Sequence, residues 1–503
     1  MRRVTFSIMV IMVFAPCVAS GLVHSYGPML SQKRFGLAAT TVGNKAIFAG
    51  GRTVGGAVSD VVDIYDMSLG APTNPAAWST AKLSQAREWL CAVTVGDKAI
   101  FAGGRLSDSS GTFFDRVDIY DASSGTWTTA SLSQARYALA ATSVGGKAFF
   151  AGGCGWYISY NTVDIYDSSL GSPTNPAAWS TFTLSQARGW LSAVTVGDKA
   201  VFAGGYGPYS DVVDIYDASL GGATDPAAWS TANLSQARNA MTAISIGNKG
   251  LFGGGTTPTT SYSVVDIYDA SLGTWSTSNL SQARYNLSAT TLGNIGIFGG
   301  GNDLSGNYFD RVDIYDASLG EPTDPAAWST DALSQARANL DATTVGDFAM
   351  FAGGQVGSNY SDVVDIYSSW LKVSIDIKPG GCPNPLNVKD KGVLPVAICG
   401  TEDFDVWTID TASIRLEDVA PVRSSYEDVA TPMPDGAEVC ECTTEGSDGY
   451  LDLVLKFNVQ DIVATLGEVE DGDEFELTLM GELADGTPIQ GKDCIVVITK
   501  GGK

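Results

Sequence analysis

Seven arginines, Arg34, Arg87, Arg136, Arg188, Arg238, Arg284 and Arg337, close the pentapeptide LSQAR, or LSQKR in the first case, and return every 46 to 53 residues. Seven aspartates keep step with them in V-D-I-Y runs: Asp63, Asp118, Asp164, Asp214, Asp266, Asp313 and Asp365. One cation and one carboxylate per repeat can serve in two ways. As a buried pair they are framework, and removing one partner costs about 3–5 kcal/mol, whereas an exposed pair contributes under about 1 kcal/mol. As a ring of guanidinium groups they would read an anionic ligand. Recurrence in every copy favours framework, so these fourteen residues are assigned to structural ion pairs.

A second set varies from copy to copy. Just after the arginines stand Phe35, Trp89, Tyr137, Trp190, Asn239, Tyr285 and Asn339, five of them aromatic. Loops that follow a Gly-Gly pair add Trp156, Tyr157, Tyr206, Tyr262, Tyr308 and Tyr360 among Ser, Gly and Asn. Rigid rings give contact area and small polar side chains give adaptable hydrogen bonds, the composition of a binding surface for a sugar or an extended peptide. Taken singly, each ring could just fill space between sheets. As a set they mark a ligand-binding face.

Catalytic alternatives are narrow. The chain has one histidine, His24, so a multi-histidine zinc site is ruled out and a Ser-His-Asp triad is hard to build, since it would have to be centred on that one residue near the N-terminus. Glycoside hydrolysis needs only two carboxylates, but no pair stands out among 55 acids. For metal, TTEGSDGYLD places Asp448 and Asp452 as the second half of a D-x-D-x-D-G-x-x-D calcium loop, while Thr444 and Gly446 occupy the leading carboxylate positions. Calcium in the C-terminal module is the one cofactor the sequence suggests.

The elements that must hold these residues follow from the period. Each unit runs from an apolar stretch such as LSAVTV through Gly-Asp to KAVFAGG, then a variable loop, VVDIYD, a loop such as ASLGGATDPAA, and Trp-Ser-Thr. A two-residue Gly-Asn or Gly-Asp turn between apolar runs makes a hairpin, so the unit reads as four antiparallel strands, and a period near 50 is the length of one propeller blade. Paired glycines, a Tyr on the third strand and a Trp on the fourth resemble the kelch repeat over about residues 22 to 370. The fold class implied is all-β: a seven-bladed kelch-type β-propeller followed by an Ig-like β-sandwich. Only six units carry the Trp of the fourth strand, so LVHSYGPML at 22–30 is expected to complete the last blade, with Trp370 as its competitor. In such a blade the segment entering the first strand and the loop after the second emerge on one face, where the copies diverge. The opposite face is monotonous.

Totals bound the rest. A net charge of −25 offers no basic surface for a phosphate backbone, which excludes nucleic acid as a partner. MRRVTFSIMVIMVFAPCVAS, residues 1–20, reads as a signal peptide, and no later apolar stretch reaches the length of a membrane span. Domains are expected at 21–370 and 371–503; the latter carries 26 acids against 10 bases. Its IDIKPG, NPLN and GVLPVAI runs resemble a module found near the C-termini of exported prokaryotic proteins. Five cysteines there, Cys382, Cys399, Cys440, Cys442 and Cys494, predict one or two disulfides with a thiol left over and the connectivity open. The function expected is an exported or cell-surface binding protein for a protein or glycan ligand; the runner-up is a carbohydrate-active propeller enzyme with a carboxylate pair.

Overall fold

A computed structural model describes residues 22–70, 72–106, 111–433, 440–467, 469–484 and 486–499. The expected signal peptide, residues 1–20, lies outside them. The chain divides into two compact units, Met1–Ser368 and Ser369–Lys503, and in both the regular structure is mainly strands.

Among its described residues the first unit holds seven four-stranded antiparallel sheets in a propeller-like arrangement. The fourth shows the pattern: Ser192–Val196, Lys199–Ala203, Val212–Asp217 and Trp229–Asn233 pair in chain order, with Val194 opposite Val201, Val201 opposite Ile215, and Tyr216 opposite Trp229. The first strands of successive sheets, from Ala38–Val42 through Asp341–Val345, are neighbours in turn, and the last lies against the first. Cores form between adjacent sheets. Phe149, Val163 and Ile165 of the third sheet, for example, pack against Ala200, Phe202, Tyr216 and Trp229 of the fourth.

The monotonous loops have a packing reason. Each buried ring must satisfy its polar tip, and the loop between third and fourth strands supplies the acceptors. Tyr216 donates through its hydroxyl to the Gly221 carbonyl at 2.9 Å, and Trp229 donates through Nε1 to Ala223 at 2.9 Å. Asp225 caps the short turn that delivers the tryptophan, accepting from the Ala227 amide at 2.9 Å, with Pro226 just inside the turn.

The last sheet is completed by the N-terminal strand Leu22–Tyr26, which lies beside Val364–Ser369. Trp370, the competitor for that place, is not part of the sheet. The strand is held by His24, whose Nε2 lies 2.8 Å from Asp365 Oδ1 and whose ring stacks on Tyr367 at 4.6 Å.

The second unit has two sheets that share one core. Ile375–Ile377, Val393–Ile398, Asp452–Asn458 and Arg423–Glu427 form one; Leu371–Lys372, Pro488–Ile498, Glu474–Leu483 and Ile409–Leu416 form the other. Pro385–Asn387 and Leu371–Lys372 both pair parallel to Pro488–Ile498, so the second sheet is mixed. One helix, Val459–Leu466, is capped by Asn458. Disulfides join Cys382 to Cys442 and Cys440 to Cys494, and Cys399 is the buried odd thiol.

Candidate binding face

LSQAR is a framework part used seven times. Its leucine is buried in every copy, and its arginine is wholly buried. In the fourth sheet the Arg188 guanidinium lies 2.6 Å from Asp214 Oδ2 and donates to the carbonyls of Phe202 and Val212 at 3.0 and 2.9 Å. The other Asp214 oxygen accepts from the Ser185 amide, which explains the serine position in backbone terms. All seven arginines pair in this way with the aspartate of their own sheet, at 2.5 to 2.7 Å. Burial pulls the Arg188 pKa down from its ordinary value, and the Asp214 charge opposes that. No guanidinium of the set remains to read an anion at the surface.

The Gly-Gly pair and the residues after each arginine then build the centre of the face. The second glycine donates to the carbonyl of the next sheet's arginine: Gly51 to Arg87, Gly205 to Arg238, and Gly354 back to Arg34, each at 2.9 Å. A Cβ on the first glycine would meet that same carbonyl oxygen at 2.3 to 2.7 Å, so no side chain fits. One ring of hydrogen bonds is made entirely by residues two places after the arginines. Trp89 donates to Gly36, Ala138 to Trp89, Trp190 to Ala138, Ala240 to Trp190, Asn286 to Ala240, Asn339 to Asn286, and Gly36 to Asn339. All seven hold φ between 52° and 62°, a left-handed conformation that is costly for Trp and Ala, milder for Asn and free for the glycine at 36.

The aromatic set therefore splits, which corrects the reading of one repeated position. Trp89 and Trp190 belong to the ring; Phe35, Tyr137 and Tyr285 stand one residue earlier, where each pairs with the residue after a glycine pair. Above the ring lies a depression of about 290 Å³. Phe35, Trp89, Trp190, Tyr209 and Tyr285 give it aromatic walls, and Asn239, Asn286, Asn339, Gln355 and Thr256 give it amides and a hydroxyl. Trp89 and Trp190 meet edge to face at 4.7 Å, and Phe35 meets Trp89 at 5.7 Å. Most rings come from sheets one to four and the amides from sheets five to seven, so the mouth has an apolar arc facing a hydrogen-bonding arc. The Asn239 Oδ1 is buried without a partner.

The remaining expected face residues lie elsewhere. Tyr137 stacks on Phe113 at 5.4 Å and lies under Arg105, whose guanidinium is 4.4 Å from the ring centre. Trp156, Tyr157 and Tyr206 are exposed, Tyr157 to 96%. Tyr360 packs against Phe35 at 4.7 Å, Tyr308 donates to the Gly357 carbonyl at 3.3 Å, and Tyr262 passes its carbonyl to the Arg284 amide, a framework role. Tyr209, Thr256, Asn286 and Gln355 were not singled out in the sequence. Counting two residues past each arginine, and one past each glycine pair, would have found the last three. Glu88 stands where other sheets carry a ring; it is fully buried, binds Arg105 at 3.0 Å, and burial raises its pKa against the pull of that arginine.

Beneath the ring the first strands line a channel of about 350 Å³ with Ala, Ser and Thr, together with Cys91 and one carboxylate, Asp341. Asp341 joins the last sheet to the first, accepting from the Ala39 amide at 2.8 Å. Burial raises its pKa to about 6, against hydrogen bonds from Ala342, Ala39 and Ser288 that favour the anion. A raised folded-state pKa contributes stability that is complete below about pH 4 and lost as pH rises through 6. Asp341→Asn is expected to flatten the stability profile between pH 4 and 7, by on the order of 1–3 kcal/mol. Denaturant midpoints across that range check it; an unchanged slope refutes it.

Both carboxylates of the suggested calcium loop accept backbone amides. Asp452 is fully buried and its oxygens accept from the amides of Gly400, Val429 and Ala430, while Asp448 Oδ1 accepts from Tyr450. Burial, joined by the nearby Asp448 charge, raises the Asp452 pKa against the pull of its amide donors. Among the described residues the one group of three metal-capable side chains is Cys440, Glu474 and Cys494, and its two cysteines are bonded to each other. No described helix is long and apolar enough to cross a membrane. No protein-family model matches the chain, and no curated protein matches it.

Proposed function

We propose that the first unit is a seven-bladed kelch-type propeller of an exported protein, and that the depression at its mouth binds a neutral carbohydrate. The observation that carries this reading is the facing of an aromatic arc and an amide arc, with no carboxylate among the described residues lining the depression. Aromatic faces cover the C–H surface of a sugar ring and amides pair with its hydroxyls, while a small polar-and-apolar cavity of this size fits one or two rings. The enzyme alternative needs two acids about 5 to 9 Å apart across the mouth. Glu88, the nearest acid in sequence to Trp89, is fully buried against Arg105 and has no second carboxylate opposite it in that lining.

A glycan array followed by calorimetric titration tests the proposal. Trp190→Ala and Asn286→Ala should each weaken the best ligand by at least about tenfold, or 1.4 kcal/mol. An array without neutral glycan ligands rules the reading out. A protein ligand is the second reading, favoured by the exposed Trp156, Tyr157 and Ile158 on the loop after the third glycine pair. It requires Tyr157→Ala, not Trp190→Ala, to abolish binding.

A further inference from the structure

The second unit buries negative charge that nothing in the chain balances. Asp376, Asp452 and Asp493 are 8%, 0% and 5% exposed, and none has a lysine or arginine within ion-pair distance among the described residues. Asp452 and Asp493 are held by amide donors. Asp493 accepts from the Ile377 amide at 2.7 Å, from the Cys494 amide at 2.7 Å, and from Asn384 Nδ2 at 3.1 Å. Asp376 is different: its Oδ2 is buried without a hydrogen-bond partner. So is Oδ1 of Asn384, a residue only 2% exposed, whose amide nitrogen is already fixed by Asp493 and by the Cys494 carbonyl at 3.0 Å.

Both orphan oxygens border one turn. The Gly380 amide donates to the Asp376 carboxylate, and a Cβ on Gly381 would stand 3.6 Å from Asn384 Oδ1. Two unpaired buried acceptors beside a second carboxylate cost several kcal/mol unless something positive or hydrogen-bearing meets them. We propose that Asp376 Oδ2 and Asn384 Oδ1, backed by the Asp493 charge, ligate a hard divalent cation, calcium. The donors are all oxygens, and calcium accepts a flexible set of six to eight, completed by carbonyls or water. Nitrogen and sulfur donors, which zinc or copper would select, are absent from this set. With two free protein ligands the affinity belongs to the weak end, a Kd of about 10⁻⁴ to 10⁻³ M.

The test uses the full chain at pH 7. Melting is followed with chelator and with 10 times the expected Kd of calcium, and calcium binding is measured by calorimetry. Calcium is expected to raise the melting temperature of the wild type, and Asp376→Asn to remove both the shift and the binding. Asn384→Ala should do the same, and circular dichroism of both variants in chelator guards against a loss that is merely misfolding. No shift in the wild type overturns the site, as does binding that survives Asp376→Asn. A rise in the chelated melting temperature on Asp376→Asn without any calcium effect would identify Asp376 instead as a protonated acid, and also overturns it.

Discussion

Asp214→Ala is expected to destabilise the first unit by about 3–5 kcal/mol, because it strands the wholly buried Arg188 without its counter-ion. The same change frees the Ser185 amide, whose acceptor is the other oxygen of that carboxylate. A chemical denaturation midpoint measures the loss. Replacing Arg188→Met and Asp214→Leu together removes both charges but leaves the Phe202 and Val212 carbonyls without the guanidinium, so the double variant should recover part of the loss and not all of it. A cost under about 1 kcal/mol for Asp214→Ala would place this pair with ordinary surface bridges and remove the framework argument for all seven.

That pairing was legible because it is a count: one arginine and one aspartate per repeat, in step, in a chain where other charges wander. Strand order was legible from turn glycines and apolar alternation. The hydrogen-bonded ring at the mouth was not. Its left-handed positions are filled by Trp and Ala in four copies, and only Asn286, Asn339 and Gly36 are of types that favour the conformation, so no shared residue type announces it. What forces it is closure of neighbouring backbones, a relation between residues about 50 apart. The amide partners of Asp452 were hidden for the same reason. Its D-G-x-x-D setting suggested an ion, yet its partners are amides at 400, 429 and 430, brought in by sheet pairing that local sequence does not encode. The disulfide partners of Cys382 and Cys494 are likewise set by which loops the two sheets bring together.

The ring also explains why two tryptophans accept a strained backbone. Every sheet must place a residue there to pass on the hydrogen bond, and φ near 55° is imposed on whatever occupies it. Glycine would relieve the strain, so large rings at two of seven places need a gain elsewhere. Contact across the mouth, Trp89 against Trp190 and Phe35, supplies part of it. A ligand stacked on the same rings would supply more, which ties the binding proposal to a backbone feature and not only to composition.

Removal of residues 22–26 should cost on the order of 5 kcal/mol, since three contributions vanish together. Leu22, buried at the seam with Leu292, Phe351 and Tyr367, accounts for roughly 1.5–3 kcal/mol. The His24 hydrogen bond to a buried carboxylate accounts for about as much. The rest is the ladder to Val364–Ser369, which would become an open edge prone to pairing with other chains. Acid dependence separates the histidine from the strand. Burial would raise the Asp365 pKa, but the His24 hydrogen bond and the Arg337 charge outweigh it and hold the value at about 2. A depressed folded-state pKa gives stability that is present above about pH 4 and lost as pH falls through 2. His24→Ala should therefore shift the acid limb of the stability profile to higher pH while leaving the sheet intact, whereas the deletion lowers stability at every pH. Should the deletion leave the denaturation midpoint unmoved, the N-terminal strand is not what closes the last sheet, and the seam must be held by the other contacts between the last and first sheets, among them the Gly354 to Arg34, Gly36 to Asn339 and Ala39 to Asp341 hydrogen bonds.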